Sequence, residues 1–430
     1  MTLCTASRCL FALSLTSLAV TAVLAQPKQV VKPPEAQAWI DVATFGGMGM
    51  PMGMGGMPGA GGAGANPMAM LGNLLGGGGR GANSFGQTQA MSPGRWVDVT
   101  LYTRRNAQLD AAQHSVPAGF LSPALQMQSP PPASAKPAPD PGDDRPTEPD
   151  FERPKGKMLL YWGCGDKVRP GQPKVVDFAN VSAADMAKFF QSRRATQRGT
   201  HAAVGRPVWP SPADPRMVPA PASLVGEHAF SGAGVPEGFR FQLGAAQDLM
   251  PPVHIKQKDD AGVTRLEWAA LPHARAYFIS GMGMRQTGKD EGEMILWTSS
   301  EQPDIGFGLM DYQTNPAVDR WLKEQVLLAP QTTQCAVPKG VFPAEGAMLR
   351  MIAYGHETHL AHPPRPTDPK VAWEPVWAVK LRVKSVSMTM LGMEAPEAEE
   401  AEADKPAEPA KPADNKKPGV KDVLRGLFGR

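Results

Sequence analysis

Between Gly46 and Gly86 the chain carries almost nothing from which a hydrophobic core can be built. The run reads GGMGMPMGMGGMPGAGGAGANPMAM and then LGNLLGGGG. Glycine loses the most conformational freedom on folding, and the run offers little apolar area to offset that loss. Residues 129–155 pose the same difficulty, with nine prolines among acids and alanines. The ordered part must therefore be assembled from short elements on either side of such breaks. Gly and Pro number 45 each among 430 residues. That share falls short of a fully disordered composition but demands long irregular pieces.

The flanks of the Gly/Met run alternate apolar and polar residues, as half-buried strands do. Trp39-Ile40-Asp41-Val42 on one side is echoed by Trp96-Val97-Asp98-Val99 on the other, which predicts two strands pairing around the excursion. Lys157–Trp162 predicts a buried strand ending at Gly163-Cys164-Gly165, and Lys174–Phe178 a further one. Ser182 predicts the cap of a helix reaching about Arg194, with Asp185 at the capping-box position and Met186, Phe189 and Phe190 on its apolar face. From about residue 249 short strands recur with turn signals between them: Val253–Gln257, Val263–Trp268, Ala276–Gly281, Met294–Thr298, Gln334–Val337, Leu349–Tyr354 and Val376–Met390. That spacing points to an all-β sandwich. One helix interrupts it, with Asn315 as its cap, Pro316 in its first turn, and Val318, Trp321, Leu322 and Val326 as its stripe.

Within this region Thr264-Arg265-Leu266-Glu267-Trp268, then Pro272 to Ala274, then Ala276-Tyr277-Phe278-Ile279, resembles the second and third strands of a fibronectin type III domain. That family packs a Trp on one strand against a Tyr on the next. Gly346–Tyr354 is similar to the family's penultimate strand. The helix near 316–328 departs from the pattern, and Val376–Met390 is long for a final strand. The resemblance implies a fold and a binding or scaffold role, with no chemistry.

The sequence thus predicts a mainly β chain of two sandwich-like domains (Ig/fibronectin III-like), with one or two short helices and long disordered inserts. Residues 1–25 form a signal peptide. Residues 26–248 are a β-rich domain interrupted by the Gly/Met-rich loop (46–86) and the Pro-rich insert (129–155). Residues 249–392 are the fibronectin III-like sandwich, 393–417 a disordered Ala/Pro/Glu/Lys tail, and 418–430 a short amphipathic helix. That helix can dock on a partner, a membrane surface or its own domain.

The signal assignment rests on a basic start (Arg8), an apolar middle from Cys9 to Leu24, and small residues before a cut after Ala25. It predicts a periplasmic or extracellular protein of a bacterial envelope, with no transmembrane segment after cleavage. Cleavage leaves 43 basic against 41 acidic residues. So balanced a chain is unsuited to binding nucleic acid through bulk charge. Two cysteines survive, Cys164 and Cys335, a candidate disulfide in an oxidising compartment. Spacing alone leaves two separate buried thiols as the alternative.

Methionine is over-represented, with 23 residues. Met48, Met50, Met52 and Met54 alternate in the Gly-rich run, and thioether sulfur is a soft ligand that selects Cu(I). The segment resembles, in composition, the Met-rich stretches of exported copper-handling proteins. His356, His359 and His362 cluster after the expected penultimate strand, and imidazole also binds copper or zinc. Their spacing is not that of HExxH, so a zinc-protease reading fails. Gly163-Cys164-Gly165 after a buried strand is a conceivable nucleophile, without an assignable base. Phosphate-loop, dinucleotide and Ser-elbow motifs are missing from the sequence.

The favoured expectation is an exported, non-enzymatic envelope binding or scaffold protein, with an envelope protein or glycan as partner. The alternatives are a periplasmic copper-binding protein, and a hydrolase whose site is assembled from distant residues.

Overall fold

A computed structural model describes residues 29–47, 83–90, 92–132, 156–195, 199–288, 291–343 and 346–392. The expected signal (1–25), most of the Gly/Met run, residues 133–155 of the Pro-rich insert and the tail beyond 392 lie outside the described residues.

The described chain is mainly β. Its first half contributes β1 (Ala36–Gly47), β2 (Gly94–Thr103), β3 (Ala111–Ser115), β4 (Ala124–Gln128), β5 (Gly156–Trp162) and β6 (Lys174–Asp177). A short helix α1 (Ala183–Phe189) follows, then β7 (Val208–Trp209), β8 (Gly226–Gly232) and β9 (Arg240–Leu243). The second half contributes β10 (Lys256–Asp260), β11 (Val263–Glu267), β12 (Ala276–Gln286) and β13 (Gly292–Thr298). Helix α2 (Asn315–Lys323) precedes β14 (Gln334–Val337), β15 (Met348–His362) and β16 (Trp377–Met390).

In the second half, β13, β12, β15 and β16 are neighbours in one sheet, while β10, β11 and β14 form a separate three-stranded sheet. Trp268, just after β11, meets Tyr277 of β12 edge-to-face, with ring centroids 5.7 Å apart. The Tyr277 hydroxyl accepts from the Leu271 N–H at 2.7 Å. Such a pair carries a specific aromatic contribution beyond its buried area.

The first half extends both edges of the four-stranded sheet. β5 runs parallel to β13, pairing Met158 with Met294. β1 runs parallel to β16, from Ala36 beside Trp377 to Gly47 beside Met388. Beyond β1 the order continues β2, β7, β4, β3, β8, β9, giving a sheet of thirteen strands among the described residues. The sheet therefore crosses the 248/249 boundary expected from sequence. At the start of β5, Gly156 has φ +149°, and a Cβ there would strike the Gly292 carbonyl oxygen. Only glycine permits that approach of two parallel strands.

The two echoed segments do pair. β1 and β2 are antiparallel, with Asp41 opposite Asp98 and Ala43 opposite Trp96. Strand alternation sorts the rest. Ala38, Ile40 and Val42 of β1, Val379, Leu381 and Val383 of β16, and Leu266 of β11 belong to one apolar cluster. Ala43 and Phe45, with Phe278, Ile352 and Val386, join Val318 and Trp321 of α2 in another. Truncating a buried Trp such as Trp321 would cost about 3–5 kcal/mol.

Both helices differ in detail from the sequence expectation. α1 ends at Phe189 rather than near Arg194, although Ser182 caps it as expected, accepting from the Asp185 N–H at 3.1 Å. Thr314, not Asn315, caps α2. The Asn315 amide is used elsewhere. It donates to the Glu357 carbonyl at 2.7 Å and accepts from the Glu357 N–H at 3.0 Å. Among the described residues no helix is long and apolar enough to cross a membrane.

Candidate functional site

The alternation of β16 places Lys380, Arg382 and Lys384 on the face opposite Val379, Leu381 and Val383. Two of these cations are buried. Arg382, 5 % exposed, grips Asp41, 1 % exposed, through Nε at 2.7 Å and Nη2 at 2.6 Å. Asp41 also accepts from Thr200, at 3.1 Å from the N–H and 2.8 Å from the hydroxyl. Burial pulls the Arg382 guanidinium down, but the Asp41 hydrogen bonds and charge hold it above its ordinary value. Lys384, 1 % exposed, reaches Asp311 at 2.7 Å. Both cations sit over the Tyr312 ring, at 4.3 and 4.2 Å, and Tyr312 donates to the Val42 carbonyl. Burial pushes Asp311 up, yet the Lys384 charge outweighs it and keeps the carboxyl ionised.

Asp98 of β2, directly opposite Asp41, pairs with no cation among the described residues. It accepts from the Gly86 and Thr88 N–H groups and from the Thr88 hydroxyl. Burial raises its pKa to about 6, against the pull of those hydrogen bonds. Asp98 and Asp41 thus clamp the segments 83–90 and 199–200 onto the sheet. Arg382 and Lys384 are each paired with a carboxylate, Asp41 and Asp311, so that part of the row is a structural clamp.

A second buried polar pair lies on β3 and β8. His114 Nε2 and His228 Nδ1 are 3.0 Å apart, and His228 Nε2 is 2.7 Å from the Leu224 carbonyl. A carbonyl only accepts, so His228 is protonated on Nε2 and accepts on Nδ1 from His114. Among the described residues His114 Nδ1 is left without a partner. Burial holds both imidazoles below their ordinary values.

The open site lies where β1 and β16 begin and β15 ends. There the lead-in Val31–Pro34 and the turn between β15 and β16 enclose a cleft of about 900 Å³. The lead-in is stitched to the turn. Lys32 N–H donates to the Trp373 carbonyl, and Trp373 N–H to the Val30 carbonyl. Trp373 lines the cleft and donates through Nε1 to the Pro363 carbonyl at 3.0 Å. The Arg365 guanidinium lies 5.5 Å over the Trp373 ring, and its Nε donates to Gln29 Oε1 at 2.7 Å. At the rim, His359 contacts Glu357 at 2.9 Å, and Glu357 also pairs with Lys380 at 2.9 Å. Burial raises the Glu357 carboxyl, but those two partners hold it below its ordinary value.

The residues singled out from sequence fare differently. Cys164 and Cys335 are joined as a disulfide. Cys164 thus has no thiol to act as a nucleophile, which removes that idea. Met48, Met50, Met52 and Met54 lie outside the described residues. The three histidines sit on β15 itself, not on a loop after it, because the strand continues past a bulge between Tyr354 and Glu357. His359 lines the cleft, His362 stacks on Trp377 with centroids 5.7 Å apart, and burial holds His356 below its ordinary value. Among the described residues no three His, Cys, Asp or Glu side chains are placed to hold a metal. Sequence reasoning passed over Arg365 and Trp373. Their signal was present in HPPRPTDPKVAWEP (362–375), a Pro-rich stretch carrying a single Trp.

No family model, curated protein or solved structure matches this chain.

Proposed function

We propose that the chain is an exported, non-enzymatic binding or scaffold module of a bacterial envelope, with the cleft beside Trp373 and Arg365 as its ligand site. The cleft carries the proposal. It is built from both halves of the chain, its walls are fixed by backbone pairing, and it presents an aromatic ring and an exposed guanidinium to solvent. Such concave sites with few polar groups are the usual ligand-binding geometry.

Export is supported by the signal-like start and by the Cys164–Cys335 bond, since structural disulfides persist in oxidising compartments. A fibronectin III-like reading of 249–392 is supported by the separation of β11 from β12, β15 and β16 into facing sheets, and by the Trp268–Tyr277 contact. That architecture serves mostly as scaffold.

A photocrosslinking residue at Val371, 49 % exposed beside the cleft, tests the proposal in cells. It should give a discrete covalent adduct in the envelope fraction. The same residue at Phe307, 59 % exposed and outside the cleft, should not. Identical adducts at both sites, or none at Val371, would refute a binding role for this cleft.

A further inference from the structure

We infer that the cleft takes an extended, acidic, proline-containing peptide of a partner protein, an assignment that rests on the binding role proposed above. The walls disfavour one mode of peptide capture, the addition of a β-strand. Pro33, Pro34, Pro364 and Pro375 all line the cleft. Proline has no backbone N–H to donate, so these stretches are poorly suited to a β-ladder with a bound strand. A polyproline II ligand has no need of one. It carries no internal or ladder hydrogen bonds and docks by packing its rings on aromatic side chains. Trp373 supplies that surface.

Charge defines the rest of the ligand. Among the described residues the lining includes Lys32, Arg365 and His359 but no Asp or Glu. Lys32 already pairs with Glu374 at 2.6 Å, and His359 with Glu357. Arg365 differs from both: its contacts are the neutral Gln29 amide and the Trp373 ring, and among the described residues it pairs with no carboxylate. A guanidinium stacked on an aromatic face and lacking an acid is suited to a two-pronged carboxylate contact. An acidic side chain flanking a proline would reach both groups at once.

Fluorescent synthetic peptides titrated into the full-length protein test the assignment. The probes are a Pro-Ala-Glu repeat, a Pro-Ala-Lys repeat, a Gly-Ser-Glu repeat and an oligogalacturonate. The Pro-Ala-Glu repeat should bind at least about tenfold more tightly than either other peptide. Arg365→Gln should weaken it about tenfold, and added salt should weaken it further. Arg365 is exposed, so that variant should fold normally. Equal binding of the Lys or Gly-Ser repeat, no effect of Arg365→Gln, or no binding by Pro-Ala-Glu would overturn the peptide assignment. Oligogalacturonate binding that Arg365→Gln abolishes, without peptide binding, would overturn it while leaving the binding role intact.

Discussion

Asp41 and Arg382 sit 341 positions apart in the chain yet face each other in register on parallel neighbours, joined by two hydrogen bonds of 2.7 and 2.6 Å. Both are buried. The pair therefore welds the N-terminal strand to the C-terminal one at the centre of the sheet. Breaking it from one side would strand a buried charge. Asp41→Asn should lower the unfolding free energy by about 3–5 kcal/mol in urea titrations, whereas Asp41→Leu with Arg382→Met should restore much of it. Equal losses from the single and double variants would contradict a desolvated pair.

Asp98 should give stability an unusual pH dependence. Its folded pKa of about 6 lies above the ordinary 3.8, so the folded state binds the proton first. The group's contribution is complete below pH 3.8 and is lost as pH rises through about 6. The gap corresponds to roughly 3 kcal/mol. Comparing Asp98→Asn with the unaltered chain at pH 4 and pH 7 should show the unaltered chain gaining relative stability in acid. A difference that does not vary with pH would refute the assignment.

The His114–His228 pair acts in the opposite sense. Both imidazoles are held neutral, so their contribution is complete above pH 6.5 and declines as the unfolded chain takes up protons below it. His114→Phe should flatten the stability profile between about pH 6.5 and 5. It should also cost about 1–3 kcal/mol at pH 7.5, because His228 Nδ1 loses its donor. A profile as steep as that of the unaltered chain would count against the buried pair.

The Cys164–Cys335 bridge closes a loop of 171 residues and ties the segment after β5 to β14. In the chain-entropy model such a loop contributes about 5 kcal/mol. Cys164→Ala with Cys335→Ala should lower the melting temperature by several degrees, and a reductant should reproduce the shift in the unaltered chain. No shift under either treatment would show that the bond does not constrain the unfolded chain.

Much of this architecture was legible in local patterns, and its limits have physical causes. The alternation around Asp41 and Asp98 located β1 and β2 and their pairing, since hairpin-like neighbours leave a sequence echo. The Trp268–Tyr277 pair likewise followed from a short motif. The β1–β16 and β5–β13 pairings did not, because parallel pairing of distant segments leaves no local signature. From sequence the strand ends at Tyr354 and the three histidines fall after it, since Gly355 and the histidines break the apolar alternation there. In the structure the bulge absorbs the break, and pairing with Lys380 and Ala378 continues the strand. The buried clamp escaped notice because Lys and Arg alternating with Val and Leu read as a solvent-facing edge, and only the neighbouring acids bury them. The cleft was hidden for a related reason: its two walls come from residues near 33 and near 365.

The most direct measurement is therefore a crosslink between those halves. Gln37 and Ala378 are in register on β1 and β16, and both line the cleft. Neighbouring strands lie about 4.8 Å apart, close enough for a disulfide. In a Gln37→Cys, Ala378→Cys variant, non-reducing peptide mapping should recover the 37–378 crosslink alongside the Cys164–Cys335 one. A control pairing Gln37→Cys with Val175→Cys on β6 should give none. Recovery of Cys164–Cys335 without a 37–378 crosslink would contradict the shared sheet, and with it the site built across the two halves.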